Sequence, residues 1–226
     1  YEALGLDFLY KACGVSDLPG AVAGIRALGI RGCGVSMPFK VAILALLDGV
    51  EPLAREVGAV NTVVNTEGKL LGYNTDVVAA TAALTRVGVT SRSSVLLLGA
   101  GGAARAVRTA LRALGVSAVT VACRDAGRGK EFVDGTGFEP VDWSYREDRL
   151  CDYVVNATPV GMSPDVEDCP LTTSYLQTVR GVIELVATPR ETQLVRQALA
   201  LGRAVSTGPE FKIGRASCRE RVYHPV

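Results

Sequence analysis

The run Gly99-Ala100-Gly101-Gly102-Ala103-Ala104 carries the plainest chemistry in the chain. It has the spacing G-x-G-x-x-A, follows the apolar run Val95-Leu96-Leu97-Leu98, and opens a helical pattern that reaches about Leu114. In that strand–loop–helix setting each small residue has a physical reason. Gly99 permits a tight turn, Gly101 lets backbone approach a pyrophosphate, and Ala104 lets helix and strand pack closely. The helix start offers N–H groups and partial positive charge to phosphate oxygens. The spacing predicts a dinucleotide site.

The next strand ends in Cys123-Arg124-Asp125, where an adenosine ribose is usually read. A guanidinium at Arg124 suits a 2′-phosphate, whereas Asp125 would accept from a free 2′-hydroxyl. Arg128 and Lys130 add positive charge nearby, so the stretch favours NADP, with NAD as the alternative. Two earlier stretches also invite chemistry. They are Val35-Ser36-Met37-Pro38-Phe39-Lys40, and Gly58-Ala59-Val60-Asn61-Thr62 taken with Tyr73-Asn74-Thr75-Asp76. On pattern alone these read as a lysine at a helix start and a helix-capping run.

Composition narrows what such residues can do. A net charge of +1 gives no reason to expect nucleic acid or an anionic membrane, and no apolar run approaches the roughly 20 residues of a membrane span. The six cysteines are scattered without a C-x-x-C, and His224 is the single histidine. No metal site, no disulfide framework and no Ser-His-Asp hydrolase is expected, and a reducing cytoplasm is the default setting. A general base would be Lys, Asp, Glu or Tyr.

The elements that must position these residues form two α/β units. In the first, residues 1–90, the pattern predicts strands at Phe8–Ala12 and Ile30–Ser36 and helices at Leu18–Leu28 and Lys40–Leu47. A hairpin of Val60–Asn65 and Lys69–Tyr73 turns at Thr66-Glu67-Gly68, and a long helix runs from Asp76 to Val87. The polar stretch Thr90–Ser94 reads as a linker. The second unit, 91–210, alternates strands and helices as a Rossmann-type domain, with strands at Ala118–Ala122, Tyr153–Val155, Val182–Leu185 and Ala204–Ser206. A helix is expected near Thr192–Leu201.

Taken in order, V-S-M-P-F-K, A-V-N-T, Y-N-T-D, G-A-G-G-A-A-R and V-N-A-T-P-V-G-M resemble the shikimate dehydrogenase family, over about residues 5–208. The resemblance implies an N-terminal α/β substrate-binding domain and a dinucleotide-binding domain, with shikimate or a related cyclic hydroxy acid in the cleft. Lys40 and Asp76 would be the catalytic pair, and Ser36 and Asn61 substrate contacts. Gly99, Ala100, Gly101, Gly102, Ala103, Arg124, Thr158, Gly161 and Gly208 would line the NADP site. The pair suits oxidation of a secondary alcohol, because a proton must leave oxygen as hydride leaves carbon. Monomers and homodimers are both compatible. A quinate or modified-ring-acid dehydrogenase, or a non-catalytic dinucleotide-binding regulator, is the alternative.

The sequence departs from the family pattern in two motifs and at its ends. Gly34 stands where an asparagine is usual, and Ala187 where D-x-x-Y-x-P-x-x-T has tyrosine, in a stretch that begins here with Glu184. The chain is expected to start after the family's first strand and serine-rich loop, and residues 211–226 to be a non-native tail. A protein so cut is expected to turn over shikimate weakly or not at all.

Overall fold

The computed structural model describes residues 7–211. Its first sheet is built on the hairpin of β3 (Thr62–Thr66) and β4 (Lys69–Tyr73), which turns through Glu67 and Gly68. Both turn residues have positive φ, 52° and 85°, the geometry that matches the twist of the two strands. Asn65 Oδ1 accepts from Gly68 N and closes the turn. Beside β3 lies antiparallel β1 (Gly32–Gly34), and beside β4 lies parallel β2 (Gly49–Val50), giving the order β1-β3-β4-β2. Helix α1 (Leu18–Ala27), capped by Asp17, places Val22 and Ile25 against this sheet with Ile43, Val63 and Leu70.

The second sheet has six parallel strands among the described residues: β5 (Ser94–Leu98), β6 (Ala118–Cys123), β7 (Glu139–Asp142), β8 (Tyr153–Asn156), β9 (Gly181–Glu184) and β10 (Ala204–Ser206). Their order, β10-β9-β8-β5-β6-β7, is that of the doubly wound dinucleotide fold. The strand order reverses between β5 and β8, so a crevice opens at their carboxyl ends. Burial on both faces explains the unbroken apolar run of β5. Leu97 enters one core layer, and Leu96 and Leu98 enter the other.

Helix α3 (Asp76–Val87) links the two sheets and packs along α4 (Gly102–Ala113). The contact is lined by small residues, Ala79, Ala80 and Ala83 on α3 and Ala104, Ala106 and Ala110 on α4, which lets the two backbones approach closely. Val57 and Ala59 of the first unit join the same core, as does Phe211 at the end of a helical turn over 208–211. Phe211 therefore belongs to the fold, and the rest of the expected tail lies outside the described residues. No helix among the described residues is long and apolar enough to cross a membrane.

Several expectations need correction. Phe8–Ala12 is not a strand: Leu9 and Tyr10 are exposed and pair with neither sheet edge, and an apolar run without a partner strand gains nothing from extension. The strand expected over Ile30–Ser36 is only the three residues of β1. The helix expected over Lys40–Leu47 is a short 3₁₀ helix, Ala42–Leu46, because Leu47 is already extended to enter β2. Helices α2 (Pro52–Val57), α5 (Ala126–Val133) and α6 (Thr173–Leu176) were too short to show a period, and β7 carries Pro140, tolerated at a sheet edge. Helix α7 (Gln193–Ala200) stands as expected, one residue inside the expected start.

Leu97 is fully buried between β5 and the helices. Leu97→Ala is expected to cost about 2–5 kcal/mol, read as a lowered urea midpoint with an unchanged m-value.

Candidate active site

Lys40 and Asp76 lie 36 residues apart and meet at 2.6 Å, Nζ to Oδ2. Two backbone bonds fix the lysine end. Lys40 O accepts from Val60 N, and Phe39 N donates to Ser36 O in the turn before it. The aspartate is the first residue of α3, where the helix N-terminus favours a carboxylate. Asn74 Oδ1 accepts from Asp76 N while Asn74 Nδ2 donates to Ala59 O, so the loop before α3 is tied to the segment that leads into β3. Asp76 is wholly buried, and Lys40 is only 8% exposed. Removing these charges from water is tolerable because each neutralises the other.

Asn61 reinforces the same corner. Its Oδ1 accepts from Thr75 N at 3.0 Å and from Thr62 Oγ1 at 2.9 Å, and its Nδ2 donates to Thr75 Oγ1. Its backbone joins β1 to β4, accepting from Val35 N and donating to Tyr73 O. Fully buried Asn61 thus holds the residue that precedes Asp76. Ser36, in contrast, is exposed at the end of the Val35 segment.

The glycine loop stands against this pair. A Cβ on Gly102 would come 3.5 Å from the Cδ of Lys40, so the lysine stem passes over the start of α4. That helix begins at Gly101 with no side-chain cap, and the space around the Gly101 α-carbon is open. Gly99 is different. At φ 98° its added Cβ would strike Thr158 Cγ2 at 3.0 Å and the Ala157 carbonyl at 3.1 Å, across the β5–β8 crevice. The loop is therefore tight where it turns and open where a pyrophosphate would approach, with uncapped N–H groups between. The residues fit a dinucleotide.

The remaining expected cofactor residues surround that crevice. Arg124 is exposed at the end of β6. Asp125, which could have read a 2′-hydroxyl, caps α5 by accepting from Arg128 N at 3.0 Å, and this favours the Arg124 side of the choice. Burial pushes the Cys123 thiol up, so it adds no negative charge there. Thr158 and Gly161 follow β8, and Gly161, at φ 85°, presses against Thr192 and Asp168. Gly208 lies directly on the loop after β9, its added Cβ 1.8 Å from the Val186 carbonyl oxygen. Ala100 and Ala103 are side-chain spectators of the loop, buried and half-buried.

Sequence reading missed the polar core that supports this side. Asn156, Glu184 and Thr192 are each fully buried and joined by hydrogen bonds. The usable signal was a polar residue closing each of two apolar parallel strands, Tyr-Val-Val-Asn and Gly-Val-Ile-Glu.

Comparison with known proteins agrees with this geometry. Residues 1–63 match the model of the shikimate dehydrogenase substrate binding domain. A shikimate dehydrogenase-like protein of Haemophilus influenzae is 34% identical over 210 residues, covering 92% of this chain and 77% of that one. A shikimate dehydrogenase (NADP(+)) of Bacillus cereus is 37% identical over 218 residues, covering 92% and 79%. The solved shikimate 5-dehydrogenase of Thermus thermophilus, in complex with NADP(H) and shikimate, superposes with a TM-score of 0.87 at 35% identity over 100% of this chain and 85% of that one.

Gly101 and Gly208 should separate cleanly. Gly101→Ala meets open space and should fold with a stability loss of about 1 kcal/mol or less, yet weaken dinucleotide binding. Gly208→Ala forces backbone apart and should lower the melting temperature as well. Calorimetric melting beside a binding titration distinguishes the two.

Proposed function

This chain belongs to the shikimate dehydrogenase family, and on that premise we propose that it catalyses the reversible NADP-dependent oxidation of shikimate to 3-dehydroshikimate. The observation that carries the reading is the Lys40–Asp76 pair at 2.6 Å, set against the first turn of the dinucleotide helix. NADP, when bound, accepts the hydride.

The chain's own residues manage the proton and the geometry. Lys40 and Asp76 hold the reacting hydroxyl and receive its proton as the carbon–hydrogen bond breaks, acting as one coupled unit. Their mutual contact orients the ammonium, and burial keeps water from competing for it. Ser36, exposed beside Lys40, supplies a hydroxyl contact to the substrate. Asn61, at the same corner, is the second contact.

On the cofactor side, Gly99, Gly101, Gly102 and the N–H groups that open α4 receive the pyrophosphate, with Ala100 and Ala103 shaping the loop. Arg124 takes the 2′-phosphate through its guanidinium. Thr158 and Gly161, which follow β8, and Gly208, which follows β10, flank the nicotinamide end. Shikimate therefore sits between the first sheet and the crevice, with the hydride path crossing the seam where Lys40 meets Gly102.

Initial rates of NADPH formation test this directly. Lys40→Met and Asp76→Asn should each lower kcat by about 10²–10⁴-fold and leave the dissociation constant for NADP within twofold. NADP binding without turnover of shikimate or quinate, once the family's first strand and serine-rich loop are supplied, would instead favour the regulator. Arg124→Ala should weaken NADP by about 1.5–3 kcal/mol and leave NAD unaffected, measured by titration of both. An equal loss for NAD would remove Arg124 from the 2′-phosphate.

A further inference from the structure

A second buried acid, Glu184, plays no part in the proton transfer described above, and its surroundings are unusually specific. It closes β9 and is fully buried. Asn156 Nδ2 donates to both of its oxygens at 3.0 and 3.1 Å, Val186 N donates to Oε1 at 2.9 Å, and Thr192 Oγ1 donates to Oε2 at 2.9 Å. These donors come from the end of β8, the loop after β9 and the cap of α7.

We propose that the Glu184 carboxylate is a positioning residue for the nicotinamide side of the cofactor site, gathering three backbone segments into one arrangement in its ionised form. The inference rests on the NADP reading given above. Each segment it holds leads to a residue of that site. Asn156 Oδ1 accepts from Thr158 N and Thr158 Oγ1, and its Nδ2 also donates to Val160 O. The Thr192 side chain packs against Gly161, and the Val186 carbonyl against Gly208.

The direction of every hydrogen is fixed. Asn156 must turn its amide nitrogen to Glu184 because Thr158 N occupies its oxygen, and Thr192 Oγ1, which accepts from Val195 N, points its own hydrogen at Glu184. A protonated Glu184 would set an O–H against N–H and O–H groups and lose at least one of these bonds. Four hydrogen bonds from three donors favour the charged form, yet burial outweighs them and pushes the carboxyl from the usual 4.5 up to about 7. No ion pair among the described residues includes Glu184. The titratable neighbour facing it is the Cys169 thiol, which burial and then the charge of Glu184 push up, so that it stays neutral.

Two pH effects of opposite sign follow. The folded chain keeps this proton where the unfolded chain has lost it, so stability linked to Glu184 is full below about 4.5 and is lost as pH rises through about 7. Order in the cofactor segments moves the other way and improves as Glu184 ionises.

The test compares unsubstituted protein, Glu184→Gln and Glu184→Asp by NADP titration, steady-state kinetics and melting across a pH series. At a pH above 8, Glu184→Gln should weaken NADP about tenfold with the KM for shikimate unchanged and the melting temperature held or raised. The NADP affinity of the unsubstituted protein should show an acid limb near 7 in addition to that of the cofactor's own 2′-phosphate. The Gln variant should keep only the latter, and the Asp variant should regain part of the affinity. Identical affinity and pH limbs in the Gln and unsubstituted proteins would overturn the proposal, as would a lowered melting temperature with NADP affinity intact. If the Gln variant fails to fold, the Asp variant decides, through a displaced limb or an unmoved one. Absence of NADP binding by the unsubstituted protein overturns the functional reading and this inference with it.

Discussion

A lysine ammonium and an aspartate carboxylate, held 2.6 Å apart with the carboxylate wholly out of water, constrain most of what surrounds them. Leaving either charge buried alone would cost about 3–5 kcal/mol, so the fold must deliver both to the same point. It does so with backbone rather than with long flexible arms. Val60 grips the Lys40 carbonyl, Asn74 grips Asp76 N and Ala59 O, and Asn61 grips Thr75 between them. The first sheet is short, with two- and three-residue edge strands, yet it supplies the rigid frame that this corner requires.

The same helix that starts with Asp76 also sets the distance between the sheets. Alanines on α3 and α4 bring the helices close, and that closeness lays the stem of Lys40 over Gly102. A larger side chain in that seam would push the Lys40–Asp76 pair away from the glycine loop. Stability and the approach of Lys40 to the glycine loop thus rest on one helix–helix contact. At the far end of α3, Arg86 donates to the buried Ser206 hydroxyl, and so ties the helix to the strand that leads to Gly208.

Sequence revealed the parts of this design that follow local rules. The Asp76–Val87 helix, the hairpin, the buried run of β5 and the glycine loop each had a period or a turn signal, and each stands where it was expected. The ion pair did not. Lys40 and Asp76 read locally as a helix start and a capping run, and only the ordered set of motifs singled them out. Short elements were lost for lack of length: α2 has Pro52 at its start and Gly58 in left-handed geometry at its end, but only six residues between. Phe8–Ala12 failed in the opposite way, since a short apolar run cannot announce whether a partner strand exists.

The polar core was harder still, because its logic is three-dimensional. Asp76 and Glu184 are both fully buried carboxylates at element ends, and they are stabilised by different means. Asp76 has a cation, so its charge is matched by a charge and the pair can face a reacting hydroxyl. Glu184 has only neutral donors, which orient a carboxylate well but compensate its charge incompletely, and burial therefore lifts it to about 7. A neutral, apolar residue would satisfy the core at lower cost, but it could not hold three separate backbone segments at once. Retaining an acid there is reasonable only if the arrangement of those segments matters more than the stability given up, as it would where they border a cofactor.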